Sequence, residues 1–295
     1  MARKEAVCRT YAVILAGGKG KRLRPLSTDL RPKAFLSVTR NRKTMFRNTL
    51  SRIGKLIPPE RIVVVANRAH SGLVRKDLPE AAPRENIILE PVSRNTAPAI
   101  ARAARLLMSR DKDAVMLVLP ADHYVSDRSG ERKALKKGID FVANNDNVIA
   151  MIGLKPRSAS AEYGYIEAAN RGEVAKVERF TEKPDLKMAV KYIAGGRHLW
   201  NAGIFIFKAK TLVEALKKYA PKISQALKSR NIDKSYQKMP DISIDYAIIE
   251  KADNIYCVKS SYEWSDVGSF DALEKALKRE SRRFVKKDGK IIKIL

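Results

Sequence analysis

Residues 11–26 read YAVILAGGKGKRLRPL. The first six form a short apolar run of the kind found in a strand buried on both faces. Gly17, Gly18 and Gly20 follow at once, interleaved with Lys19, Lys21 and Arg22. Glycines directly after a strand let main-chain N–H groups approach a phosphate closely, and the basic side chains add charge of the matching sign. No Gly-Lys-Ser/Thr closes the stretch, so it is not a Walker A loop. Leu23 stands where the dinucleotide fingerprint needs its third glycine. With Lys33 behind Pro32, the cluster has the equipment to hold a triphosphate. The plainer alternative is a tight strand-to-helix turn with solvated lysines.

Outward from this stretch, short β-branched runs alternate with helix-period segments. Residues 61–66, 86–89, 114–119 and 147–154 read as further buried strands, and residues 44–56, 98–110 and 130–144 as the helices between them. Ile100, Ala103, Ala104 and Leu107 recur at helical spacing, with Asn95 or Thr96 available as a cap and Pro98 suited to a first turn. This rhythm predicts an α/β fold, a Rossmann-like and mostly parallel sheet flanked by helices. From about residue 163 the strands alternate more (163–169, 173–180 and 202–207), as in an antiparallel extension. Residues 185–194, 211–220 and 266–283 have helical spacing, and residues 284–295 read as two short strands around a Lys-Asp-Gly turn. The expected organisation is one large unit over residues 1–283 and a short C-terminal β tail over 284–295.

The 295 residues carry 59 Lys and Arg against 32 Asp and Glu, a net charge of +27. That balance points to anionic partners: nucleic acid, phosphorylated substrates or an acidic membrane surface. Residues 1–52 hold fourteen basic residues against Glu5 and Asp29. No uncharged run exceeds ten residues, whereas a spanning helix needs about twenty apolar ones, so no transmembrane segment is expected. The two cysteines, Cys8 and Cys257, are too few for a secreted disulfide framework and too distant for a Cys-rich zinc site. A cytoplasmic setting is expected.

The string LAGGKGKRLRPLSTDLRPKAFL (15–36) resembles the signature of sugar-phosphate nucleotidylyltransferases. Further matches follow in family order: EPVSRNTAPAIA (90–101), LVLPADHYV (117–125), EYGYIE (162–167), RFTEKPD (179–185), WNAGIF (200–205) and WSDVGSF (264–270). Within that family, the segment at 90–101 resembles the mannose-1-phosphate guanylyltransferase branch. The resemblance implies that residues 1–283 are a nucleotidyltransferase catalytic domain. Its reaction would transfer GMP from GTP to mannose 1-phosphate, with Mg²⁺ as cofactor and pyrophosphate as the second product. A phosphate monoester has a second pKa near 6, so the attacking oxygen is already anionic at neutral pH and no general base is required. Positioning and positive charge should dominate instead. The three histidines and the missing nucleophile motif agree.

By the same resemblance Arg22, Lys33, Asp122 and Asp266 are the catalytic candidates, with Asp122 and Asp266 holding the metal. Mg²⁺ often binds one or two carboxylates plus substrate phosphates. The plain alternatives are a turn acid at Asp122 and a helix cap at Asp266. Nucleotide binding falls to Gly17, Gly18, Gly20, Lys21, Arg22, Glu90, Arg94, Asn95 and Asp122. Guanine presents a donor pair that one carboxylate can accept, which makes Glu90 the candidate base reader. Sugar-phosphate binding falls to Gly164, Glu182, Lys183 and Asn201. His70, His123 and His198 are expected as polar turn or core residues, and Trp200 and Trp264 as packing supports.

About 25 residues follow Phe270, where family members commonly continue into a β-helical or isomerase segment. No fused isomerase is therefore expected within this stretch, and a homodimer is the assembly to test. Two other readings compete. One is a sister specificity, with a heptose or glucose 1-phosphate or another nucleoside triphosphate. The other is a basic nucleic-acid- or membrane-binding protein with a degenerate transferase site. No zinc-finger or RRM signature supports a specific nucleic-acid partner.

Overall fold

The computed structural model of the chain describes residues 9–18 and 20–295, so Cys8 and Lys19 lie outside the described residues. Strands β1 (Thr10–Leu15), β2 (Ile62–Asn67), β3 (Ile87–Glu90) and β4 (Val115–Pro120) lie in the order β3-β2-β1-β4, each parallel to its neighbour. The apolar runs form strands here because both faces are covered. Ile14, Val64 and Leu117 enter the core on one face. Val13, Val63 and Met116 enter the core on the other. Helices Met45–Ile53, Thr96–Met108 and Arg128–Asn144 connect the strands. Each starts at a side-chain cap: Thr44 accepts from the Arg47 amide, Asn95 from the Thr96 amide and Asp127 from the Gly130 amide.

Beyond β4 the sheet takes up the antiparallel strands of the expected extension. The remaining main-sheet strands are β6 (Ile149–Leu154), β7 (Tyr165–Ala168), β8 (Val174–Thr181), β9 (His198–Lys208) and β10 (Ile255–Ser260). They follow β4 in the order β9-β6-β10-β8-β7. Strand β9 is inserted antiparallel between β4 and β6, while β6 and β10 pair in parallel. The fold is therefore mixed α/β, with a helix-flanked central sheet. Strands β4 and β6 are both antiparallel to β9, so β6 keeps the direction of β1 to β4 as expected, and what the apolar runs do not show is that β9 lies between them. Strand β10 has no counterpart among the expected strands.

Two small sheets complete the architecture. Strands β5 (Tyr124–Val125) and β11 (Trp264–Ser265) pair antiparallel, Ser265 opposite Tyr124. The expected helix over 266–283 is shorter, Phe270–Arg279, and its cap is Ser269, which accepts from the Ala272 amide. Asp266 is thus not the helix cap. Strands β12 (Phe284–Lys287) and β13 (Lys290–Ile294) form a hairpin across Asp288 and Gly289, both at positive φ (48° and 72°). Ile291 on β13 is fully buried in a cluster with Leu23, Val267 and Leu273, so the tail packs against the loop that follows β1.

Candidate active site

Because β1 to β4 are parallel, their C-terminal ends share one edge, where ligands bind in open α/β sheets. The registers Leu15 with Val65, Leu15 with Pro120 and Asn67 with Glu90 bring the glycine loop, Glu90 and Asp122 to that edge. A cleft of about 580 Å³ opens there, lined among others by Gly17, Gly18, Lys21, Glu90, Asn95 and Asp122. Gly20 adopts the left-handed conformation (φ 61°) that glycine tolerates best. The turn continues as the short helix Lys21–Leu23, pinned by Ser27 Oγ donating to the Gly20 carbonyl at 2.6 Å.

Glu90 ends β3 and is 3 % exposed. Its Oε2 lies where a side chain on Gly17 would have to go, 2.8 Å from an ideal Cβ. Its Oε1 is buried with no hydrogen-bond partner among the described residues. Burial pushes the carboxyl up to about 7, against the opposing influence of the Tyr236 hydroxyl. An acceptor in this state can be completed by donors brought from outside. Asn95 (φ 66°) spends its side-chain oxygen on the Thr96 amide, so its cap role is filled. Arg94 is not among the residues lining the cleft, and its buried Nε has no partner.

The phosphate-handling candidates meet at Lys33. Its Nζ lies 2.8 Å from Asp122 Oδ2 and donates to the Asp266 carbonyl. The pairing of β5 with β11 explains this convergence: Asp122 precedes β5 by two residues, and Asp266 directly follows β11. Burial alone would raise the Asp122 pKa. Lys33, through its charge and its hydrogen bond, outweighs it and holds the carboxyl below the usual range. Asp266 Oδ1 accepts from the Tyr163 hydroxyl at 3.2 Å and from the Gly268 amide at 3.0 Å. Arg22 Nη2 lies 3.6 Å from Asp266 Oδ2, while its Nη1 pairs with Glu162.

His123 is turned toward Trp264. Its Nδ1 accepts from Trp264 Nε1 at 3.0 Å, and burial pushes its pKa down to about 4. The His123 carbonyl is fixed by Arg52, which is itself buried in an ion pair with Glu131 at 2.8 Å. His70 is buried, with Nε2 2.9 Å from the Asp29 carbonyl, and His198 stacks on Tyr192.

Gly164, Glu182, Lys183 and Asn201 form a second cluster. An ideal Cβ on Gly164 would stand 2.5 Å from Glu182 Oε2, so only glycine lets that carboxyl approach. The Asn201 amide donates to the Gly164 carbonyl at 2.8 Å, and Lys183 Nζ lies 3.4 Å from Glu182 Oε1. Asn201 occupies an irregular stretch of β9, with its Oδ1 taken by the Gly203 amide and its Nδ2 by Asp245 Oδ1 at 3.0 Å. Burial and the nearby Asp245 carboxylate push Glu182 up to about 7, against the pull of Lys183.

An aromatic ladder links the two clusters. Tyr163 packs edge-on against Trp200 (4.9 Å between centroids) and at a tilt against Trp264 (5.2 Å), and Trp264 meets His123 (5.2 Å). Sequence reasoning misses Tyr163, although it stands inside the motif at 162–167, and it misses Asp245 and Arg52. Asp245 opens a π-helical turn, Asp245–Ile249, a local geometry often found at functional sites. Nothing in the local sequence announces that turn.

Among the described residues, no three His, Cys, Asp or Glu side chains could together enclose a metal ion. The Asp122 and Asp266 side chains are 24 % and 19 % exposed, and the Lys33 ammonium ties the Asp122 carboxylate to the Asp266 main-chain carbonyl. Two hard oxygen donors with solvent access fit Mg²⁺, which keeps several waters and takes substrate oxygens for the rest of its shell.

Strands, cleft and basic loop together define a nucleotide-handling α/β protein. Residues 11–282 match the family model for nucleotidyl transferases, and the chain belongs to that family. It is 38% identical to mannose-1-phosphate guanylyltransferase RfbM of Salmonella typhimurium, across 93% of this chain and 60% of that protein. It is 37% identical to the alginate biosynthesis protein AlgA of Pseudomonas fluorescens, across 88% and 57%. The chain thus spans about 60% of the length of these curated relatives. Among solved structures, a protein of Thermus thermophilus described as mannose-1-phosphate geranyltransferase superposes with a TM-score of 0.83. It is 36% identical, with 91% of this chain and 79% of that one covered.

Proposed function

We propose that the chain transfers GMP from GTP to mannose 1-phosphate, giving GDP-mannose and pyrophosphate. The observation that carries this reading is the Lys33 ammonium held between Asp122 and Asp266, where the nucleotide cleft meets the aromatic ladder toward Glu182 and Asn201. The named activity of RfbM supports the choice of substrates.

The glycine loop, Lys21 and Arg22 receive the triphosphate, and Glu90 accepts the guanine donor pair. Arg94 and Asn95 flank that base-reading segment. Glu182 and Asn201 orient the sugar hydroxyls beside Gly164, and Lys183 offsets the charge of the sugar phosphate. The sugar-phosphate oxygen then attacks the α-phosphorus; that P–O bond forms as the bond to the leaving pyrophosphate breaks, and no proton need move. Lys33 stabilises charge on the α-phosphate as it develops. Mg²⁺ held by Asp122 and Asp266 would neutralise phosphate charge and align the two anions.

The test is a pyrophosphate-release panel crossing GTP, ATP, UTP and dTTP with the 1-phosphates of mannose, glucose and a heptose, with and without Mg²⁺. GTP with mannose 1-phosphate should be fastest, and only with the metal. Maximal turnover with UTP and glucose 1-phosphate would refute the specificity, and full turnover in chelator would refute the metal.

A further inference from the structure

A second cleft, of about 900 Å³, opens along the β3 edge of the sheet and shares no lining residue with the nucleotide cleft. Arg68, Arg102, Arg105 and Arg230 line it around apolar Ile87 and Leu106, with Glu85 as the acid among its lining residues. Arg68 is already paired with Asp233, at 2.9 Å. Arg102 is the unusual member. Its Nη1 is buried without a hydrogen-bond partner, and burial together with the like charge of Arg105 disfavours its cationic form. A buried guanidinium nitrogen left unpaired beside a second cation is costly unless an anion completes it. The cleft is also back-to-back with the proposed base-reading position. Fully buried Tyr236 interacts with Glu90, which lines the nucleotide cleft, and with Arg102, which lines this one.

The geometry points to a second anion-binding site here, for a phosphate ester that also carries an apolar or aromatic portion. The arginine forks match phosphate oxygens bidentately. Ile87, Leu106, Met108 and Ile232 offer an apolar surface beside them. The volume lies in the range of small-molecule sites, about 300–1,000 Å³. The ligand chemistry is that of a nucleoside phosphate rather than of bare phosphate.

Calorimetric titration of the whole chain with GDP, and in parallel with inorganic pyrophosphate, tests this. The wild type should take up two GDP. Arg105→Gln combined with Arg230→Gln, both exposed positions outside the proposed transferase site, should leave one site and an unchanged kcat/KM. The second-site Kd should weaken by about tenfold per arginine removed. Lys33→Met should instead weaken the other site, so failure of the transferase reading and failure of this one give different stoichiometries. In wild type, GDP should bind the arginine cleft more tightly than pyrophosphate; equal binding would refute the apolar part of the site. A single GDP site in wild type that the double variant retains, or two sites persisting in the double variant, would overturn the proposal, whereas a single wild-type site lost in the double variant would count against the transferase reading.

Discussion

At the proposed phosphate-handling centre charges of opposite sign meet: Lys33 against Asp122, Arg22 against Asp266 and Glu162. In the two flanking pockets the carboxyls are buried and under-compensated, and Glu90 and Glu182 are each pushed up to about 7. The centre therefore keeps its charge across the neutral range, because Asp122 is held below the usual carboxylate range. The recognition pockets do not. Their carboxyls titrate near neutrality, so on the proposed function base and sugar binding would be coupled to protonation while phosphate handling would not.

The sharpest way to break this contrast is to remove the shared cation. Lys33→Met leaves Asp122 without its ion-pair partner and strips positive charge from the reacting phosphates. Loss of one such stabilising group costs about 10²–10³ in rate, and kcat should fall by that much with the circular-dichroism spectrum retained. A variant turning over at wild-type speed would mean that the Lys33–Asp122–Asp266 convergence is structural only. Glu182→Gln should act differently, raising KM for the sugar phosphate by about tenfold to a hundredfold, the worth of a charged hydrogen bond, with KM for GTP little changed.

The flanking pockets make a pH prediction whose sign follows from burial. The ordinary Glu90 pKa of 4.5 rises to about 7 in the folded protein. Its contribution to stability is therefore greatest below pH 4.5 and is lost as pH rises toward 7, by up to about 3 kcal/mol. The donors of guanine favour the carboxylate, so GTP affinity should move the opposite way, KM falling by up to about tenfold per pH unit until pH 7 and flattening above it. Glu90→Gln should flatten both profiles, which thermal melts and initial rates between pH 5 and 8 will show. If KM for GTP keeps its wild-type pH dependence in that variant, Glu90 does not read the base.

The sequence made the centre's components legible and hid their assembly. A glycine-basic loop after an apolar run is recognisable because the chemistry and the strand are contiguous. Asp122 and Asp266 were each visible inside their motifs. Their meeting depends on β5 and β11, two-residue strands whose pairing no local periodicity encodes. The same holds for Tyr163, Asp245 and Arg52, whose significance lies in distant partners: the Asp266 carboxylate, the Asn201 amide and the His123 carbonyl. Strand order past β4 was hidden for a related reason, since burial on both faces sets composition but not which strands are neighbours.

The smallest effect separates two roles inside one short segment, 264–270. Ser269 caps the helix Phe270–Arg279 by accepting from the Ala272 amide at 3.2 Å, whereas Asp266 is turned toward Tyr163 and Arg22. Ser269→Ala should cost about 1 kcal/mol of stability and leave kcat/KM near wild type, because the lost bond lies on the helix side of the turn. Asp266→Asn should do the reverse: the amide oxygen can still accept from Tyr163 and the Gly268 amide, so the melting temperature should hold while catalysis falls with the lost charge. Denaturant melts and initial rates on the two variants separate the roles. If Ser269→Ala lowered kcat as much as Asp266→Asn does, the whole segment would be acting as one support for the turn, and the distinction between a charged centre and its scaffold would fail at its narrowest point.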